Sequence, residues 1–151
     1  MLRPAPIQTT YTRYLKPGFP GMLADEVNFA ADTRTVETAA GIGFGLAVSQ
    51  GTNQAGCILG GSAFVGITRA DPTLVHAEGG TVDKYVQYDS AAVLVIGDIW
   101  VYAPGADVGE AVNYNTTTGA LTSGAGTALT NARWMTSADA DGLAVVRLWR
   151  A

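Results

Sequence analysis

Between Ser90 and Tyr102 the chain reads Val93-Leu94-Val95-Ile96, breaks at Gly97, and resumes as Asp98-Ile99-Trp100-Val101-Tyr102. β-branched and aromatic residues in this density fit a pleated, half-buried surface better than a helix. A glycine inside such a run marks a bulge or a barrel corner, because it allows a sharp bend and a close backbone approach. Ala103-Pro104-Gly105-Ala106-Asp107 then turns the chain, Glu110 to Tyr114 predicts another strand, and Asn115-Thr116-Thr117-Thr118-Gly119 turns it again. The stretch from Ser90 to Gly119 is therefore strand, bend, strand, loop, strand, turn. It supplies scaffold and no chemistry.

The same grammar recurs on either side. Val36 to Ala40 leads into Gly41-Ile42-Gly43-Phe44-Gly45-Leu46-Ala47-Val48-Ser49, whose alternating glycines leave one strand face bare. Within residues 25–40 a short turn or strand is expected. Gln50 to Gln54 is a turn, and Cys57-Ile58-Leu59 and Ala63 to Thr68 form a strand pair around Gly60-Gly61-Ser62. Arg69 to Gly80 reads as loop. Lys84 to Tyr88 alternates as a strand should, and Leu121 to Asn131 reads as an exposed hairpin or loop. Ala132 to Thr136 and Leu143 to Trp149 are the last two strands, joined by a turn at Asp139 to Gly142. About eight short strands at intervals of roughly ten residues, with no sustained helical period, predict an all-β sandwich or barrel. At least seven strands and under about 15% helix are expected, against the ~30–35% helix of average soluble proteins.

Residues 1–24 depart from this pattern. They hold Pro4, Pro6, Pro17 and Pro20, four of the six prolines, together with Ile7, Tyr11, Tyr14, Leu15, Phe19, Met22 and Leu23. Proline fixes φ and removes a ladder donor, so the segment is extended. A disordered tail is normally poor in large apolar residues. The organisation expected is an extended N-terminal arm over 1–24 and a single β-barrel domain over 25–151. The arm packs on its own barrel or lies across a neighbouring subunit or partner. On the second reading Tyr11, Tyr14, Leu15 and Phe19 are interface anchors, and Trp134 on a late strand joins them.

Composition excludes several functions. Charged residues are only 15% of the chain and the net charge is −4, with the few cations scattered. Nucleic-acid binding needs clustered positive charge, and so does a polybasic membrane anchor. No apolar run approaches the roughly 20 residues of a membrane span. Cys57 is the only cysteine, which rules out an intramolecular disulfide and a disulfide-built domain. No secretory leader pattern opens the chain, so synthesis and folding in a cytoplasm are expected.

The residues that could carry chemistry have plainer readings. His76 is the only histidine and falls in a loop, with no G-x-S-x-G elbow elsewhere to pair with it. One His and one Cys cannot supply the usual zinc ligand set. Asp139-Ala140-Asp141-Gly142 lacks the remaining ligands of a calcium loop and reads as a solvated turn. Asp83, Asp89 and Asp98 show no spacing that favours a glycosidase pair. Asn115-Thr116-Thr117 is turn chemistry, and Cys57, beside Ile58 and Leu59, is a buried small hydrophobe. Gly41-Ile42-Gly43-Phe44-Gly45 is not a dinucleotide fingerprint, since no helix pattern follows. No catalytic, metal or cofactor residue is expected.

The order of motifs resembles a known family. Gly18-Phe19-Pro20-Gly21-Met22-Leu23-Ala24 comes first, then Gly43 to Val48, Phe64 to Thr68, Gly97-Asp98-Ile99-Trp100-Val101, Ala132-Arg133-Trp134-Met135-Thr136 and Gly142 to Leu148. This succession is similar to the structural cement, or capsid decoration, proteins of tailed bacteriophages. The resemblance covers roughly residues 18–149 and rests on packing and turn motifs. It implies a small β-barrel or jelly-roll-like protein. Such a protein binds as an oligomer on the outside of a mature icosahedral virion, across seams between copies of the phage major capsid protein. The expected partners are that protein and a second copy of this chain, with a dimer slightly ahead of a trimer. The alternative is a β-sandwich binding module for glycan or host-surface attachment, which would need exposed aromatics lining a groove with polar partners.

Overall fold

The computed structural model describes residues 18–74 and 83–150, and among these there is no helix. Twelve strands follow one another along the described residues. They are β1 (Ala30–Val36), β2 (Ile42–Gly43), β3 (Ala47–Gln50), β4 (Gly56–Leu59), β5 (Phe64–Thr68), β6 (Lys84–Tyr85), β7 (Ser90–Tyr102), β8 (Asn113–Tyr114), β9 (Leu121–Thr122), β10 (Thr127–Ala128), β11 (Ala132–Trp134) and β12 (Leu143–Leu148).

The strands β1, β4, β3, β5 and β7 are neighbours in that order, and β7 pairs back onto β1. This closes a five-stranded barrel, which removes the open edges that a flat sheet would present. Only the β1–β4 contact is parallel; the rest of the ring is antiparallel.

β7 is the strand on which everything else hangs, and Gly97 divides it. Its first half, Ser90 to Ile96, pairs with β1 along one edge and with β5 along the other. Its second half pairs with β12 from Gly97↔Leu148 to Tyr102↔Leu143, and β11 extends the sheet beyond β12. Gly97 has φ +132°, and a Cβ there would lie 2.9 Å from Cβ of Phe29. Only glycine combines that backbone with so close a neighbour. The bend expected at this residue is where the strand leaves the barrel.

Two cores result. Val36, Val48, Cys57, Ala91 and Val93 pack together with Ile42 and Tyr85. They come from β1, β3, β4 and β7, and β5 adds Val65, so this cluster fills the inside of the ring. The β2–β6 pair delivers Ile42 and Tyr85 to it. The Tyr85 hydroxyl donates to Arg69 O at 2.5 Å, and its ring stands edge-on to Phe44 at 5.2 Å. The second core lies between the outer face of the barrel and the remaining strands. Ile99 and Val101 alternate inward from β7, as do Ala144, Val146 and Leu148 from β12. Val112, Tyr114 and Leu121 cover them from the small β10–β8–β9 sheet, against Ala47, Ile67 and Leu94 of the barrel wall.

Some elements differ from the sequence reading. The turn or strand expected within 25–40 is the seven-residue strand Ala30–Val36. Gly41 to Ser49 splits into β2 and β3 around a turn. Lys84 to Tyr88 pairs only over Lys84–Tyr85 and then turns. Glu110 to Tyr114 is reduced to Asn113–Tyr114. Leu121 to Asn131 contains two short strands, and Leu121 is buried in the second core. At Gly41 to Ser49, Lys84 to Tyr88 and Glu110 to Tyr114 the residues paired to a neighbour are fewer than the apolar pattern suggested.

Candidate interaction surface

The described residues contain no group of three or more His, Cys, Asp or Glu side chains that could hold a metal. Cys57 is fully buried, and burial raises its thiol pKa, which is the inert state of a cysteine. His76 lies outside the described residues. Charged side chains near the barrel mouth are committed to structure. Arg34 donates through Nη1 to Gln50 Oε1 at 2.7 Å and to Gly56 O at 3.2 Å. Glu37 Oε1 accepts from Thr52 N–H and Thr52 Oγ1, and its carboxylate lies against Gly51 and Gly56. Together they hold the β3–β4 turn. Asp98 and Arg147, opposite each other on β7 and β12, form a two-pronged pair at 2.7 and 2.9 Å. That pair raises the Arg147 pKa further above its ordinary value. The Asp139 to Gly142 turn is closed by Asp139 Oδ1, which accepts from Asp141 N–H and Leu143 N–H. Asn115 Oδ1 likewise accepts from the backbone of Thr117 and Thr118.

The surface is more informative where the arm joins the barrel. Gly21 N–H donates to Trp100 O at 2.8 Å, Trp100 N–H to Met22 O at 2.8 Å, and Ala24 N–H to Asp98 O at 2.9 Å. Residues 21–24 thus run along the edge of β7 that β12 leaves free, and Leu23 bridges Ile99 and enters the second core. Gly18 is pressed onto the Trp100 indole, where a Cβ would come within 2.6 Å of Cδ1. Of the arm assigned to 1–24, residues 18–24 are built into the fold along the second half of β7, and Tyr11, Tyr14 and Leu15 lie outside the described residues.

At this junction Phe19 is 48% exposed. With Pro20, Gly43, Phe44, Pro72 and Asp83 it lines an open groove of about 610 Å³. Val27 and Phe29 are exposed nearby in the chain, and the Arg69 guanidinium sits 5.2 Å from the Phe29 ring centroid. Single exposed apolar residues are ordinary, and of these three only Phe19 lines the groove, beside the apolar Pro20, Phe44 and Pro72. The groove carries one charged lining residue, Asp83, which is poor provision for a glycan. Trp134 is elsewhere. It is 2% exposed in the second core, with its indole Nε1 donating to Ala111 O at 3.3 Å. Its ring is used up within this chain, so it is a core residue and offers no surface to a partner. Sequence reasoning missed the exposed aromatics Tyr88 and Phe29. Tyr88 gave a strand signal, and Phe29 stands before a polar segment.

The described residues define a small closed all-β barrel with added strands and an open groove beside the exposed Phe19. Comparison with known proteins narrows this. The chain matches the family described as "Structural cement protein (E217 gp24/Pam3 gp6)" over residues 7–149 of its 151, and it belongs to that family. It is a structural protein of the virion, associated with the capsid shell, and not an enzyme. A chain from the capsid of Myoviridae phage XM1 shares the fold, with a TM-score of 0.69 and 16% identity. The alignment covers 93% of this chain and 96% of that one. A comparison with curated proteins finds no match.

Proposed function

We propose that this protein docks on the outer surface of a tailed-phage capsid, across seams between major capsid proteins, and holds the shell against internal DNA pressure. The observation that carries the reading is the family match over nearly the whole chain. The exposed apolar junction around Phe19 agrees with it. Packaged DNA pushes shell subunits apart. A protein whose site exists only when two neighbours are correctly placed adds its binding free energy to the assembled state by linkage. On a repeating lattice, copies joined as a homo-oligomer gain further through avidity. The low charge and the net −4 keep it off the packaged genome. Synthesis in the host cytoplasm precedes its addition to the virion.

The arm supplies the anchors in this reading. Tyr11, Tyr14 and Leu15 lie across a neighbouring subunit or the shell, and Phe19 sits where that segment leaves the barrel. Large apolar side chains contribute roughly 1.5–3 kcal/mol each when fully buried, and prolines reduce the entropy lost when the segment is pinned.

The test uses purified expanded shells. The protein should bind them and bind free major capsid protein poorly, and stripped shells should release DNA at a lower temperature than occupied ones. Equal release temperatures would overturn the stabilising role. Deleting residues 1–16 should leave the barrel folded and weaken shell binding or self-association; unchanged affinity for both would remove the arm from the proposal.

A further inference from the structure

Where β7 bends at Gly97, the surface opens into a pocket of about 330 Å³. Asp25 and Asn28 line it from the segment that follows 21–24, Gly97 and Asp98 from β7, and Arg147 and Trp149 from the end of β12. Val146 and Leu148 enter the second core, so strand alternation turns Arg147 and Trp149 to the opposite face. Gly97 lets the two sides approach, since a Cβ there would stand 3.2 Å from Asn28 O.

The pocket is preformed. The two-pronged bond to Asp98 fixes the Arg147 guanidinium. Trp149 N–H donates to Asn131 O at 3.1 Å, and Asn131 Nδ2 donates to Trp149 O at 3.1 Å, which sets the backbone that carries the indole. Asp25 Oδ1 accepts from Val27 N–H at 2.8 Å. Four residues nevertheless keep a polar group uncommitted. Among the described residues, Asp25 Oδ2, the Asn28 amide, Arg147 Nη1 and Trp149 Nε1 make no hydrogen bond. Trp149 is 40% exposed.

These open groups are mixed in kind, and the mixture selects the ligand. A carboxylate only accepts, a guanidinium and an indole only donate, and an amide does both. A cation would meet Arg147 and Trp149 donor to donor, and an anion would meet the Asp25 carboxylate. Hydroxyl groups both donate and accept, so a polyhydroxylated ring can satisfy all four residues. A pyranose also carries an apolar face of C–H groups that fits an indole, whose N–H edge remains polar. Small-molecule pockets combine aromatic surface with a few fixed polar groups in about 300–1,000 Å³, and this one has the size for a single ring. The groove beside Phe19 has the apolar surface without the polar set.

We infer that this pocket binds a neutral pyranose ring, of the kind that ends a cell-surface glycan chain, stacked on Trp149 and hydrogen-bonded by Asp25, Asn28 and Arg147. The inference goes beyond shell docking and does not depend on it. On a repeating lattice, a weak site for one ring gains strength through avidity.

The experiment titrates the full-length protein with the methyl pyranosides of glucose, galactose, mannose and N-acetylglucosamine, read by saturation-transfer NMR and calorimetry. The methyl glycoside of glucuronate is the anionic probe and arginine amide the cationic one. At least one neutral glycoside should bind, and more tightly than either ion. Trp149→Ala should lose at least about tenfold in affinity, while Trp149→Phe keeps a stacking face and should retain part of it. Asn28→Ala, at an exposed position, should lose about threefold or more with Tm unchanged, which a purely structural role would not produce. Beads carrying the bound sugar should retain the protein and release Trp149→Ala. Binding of the free glycoside but not of the beads overturns a glycan chain as its source. No binding of any neutral glycoside overturns the inference, and so does undiminished affinity in Trp149→Ala. Tighter binding of glucuronate or arginine amide overturns the neutral ring as occupant. Shell binding without glycoside binding leaves the proposed function standing and overturns this inference alone; glycoside binding without shell binding does the reverse.

Discussion

The two halves of β7 are one strand with two kinds of neighbour. Ser90 to Ile96 is gripped by β1 and β5 inside a closed ring. Among the described residues, Gly97 to Tyr102 has β12 along one edge and the short segment 21–24 along the other. The first half faces a small interior that holds Cys57 and the whole Tyr85 ring. The second half builds a broader sandwich around Trp134, Tyr114 and Leu121. The difference teaches that closure and burial are separate devices here. The ring is closed by hydrogen bonding through β1, of which only Val36 is buried, while the sandwich is made by side-chain packing and needs a segment from the arm to finish its edge.

The largest effect expected is on the sandwich. Trp134→Ala removes a core ring and should destabilise by about 3–5 kcal/mol, read by denaturant unfolding. A near-neutral result would mean that the sandwich adds little to the barrel. Gly97→Val puts a β-branched residue at φ +132° against Phe29. It should destabilise by about 2–4 kcal/mol through backbone strain and overpacking together. If it melts like the unsubstituted protein, the division of β7 at Gly97 is not a requirement of the fold. Leu23→Ala should destabilise by about 2–3 kcal/mol, within the range for a buried leucine. A smaller effect would make 21–24 an accessory to the sandwich edge.

Alkaline pH separates the halves more gently. Burial raises the pKa of both Cys57 and Tyr85, the two ionisable groups inside the ring. Unfolding returns each to its ordinary value, so the unfolded chain releases protons first as pH rises. Stability should hold up to the ordinary thiol range and fall above it, first through Cys57 and then through Tyr85. Cys57→Ala should flatten the earlier part of that decline in a Tm-against-pH series. The smallest effect belongs to the junction surface. Phe19→Ala should shift stability by no more than about 0.5 kcal/mol, as exposed positions do, and a larger shift would place Phe19 in the fold.

How much of this was legible in sequence follows from the same contrast. Packing writes itself into residue type, so the runs around Gly97, Cys57, Phe64 and Leu143 announced their strands. The glycine between Ile96 and Asp98 announced the bend. Ring closure does not. Ala-Ala-Asp-Thr-Arg-Thr-Val becomes β1 because its backbone pairs with β7 and β4, while only Val36 is buried. No apolar period marks such a strand. Trp134 looked the same as an anchor or a core residue, since an indole suits both and only the fold places it against Ala111. Tyr88 was hidden differently. Its residue type favours a strand, and the backbone bond that ties it to Val36 in a turn overrules that preference.

The splice of residues 21–24 onto β7 also sets a path for mechanical load. The bonds from Gly21, to Met22 and from Ala24 stand across the strand direction, as antiparallel ladder bonds do. Tension applied at Gly18 along that direction must shear all three at once before any can part. Behind them it passes along the unbroken chain of β7, around Gly97, and into a ring that has no loose edge at which to start unravelling.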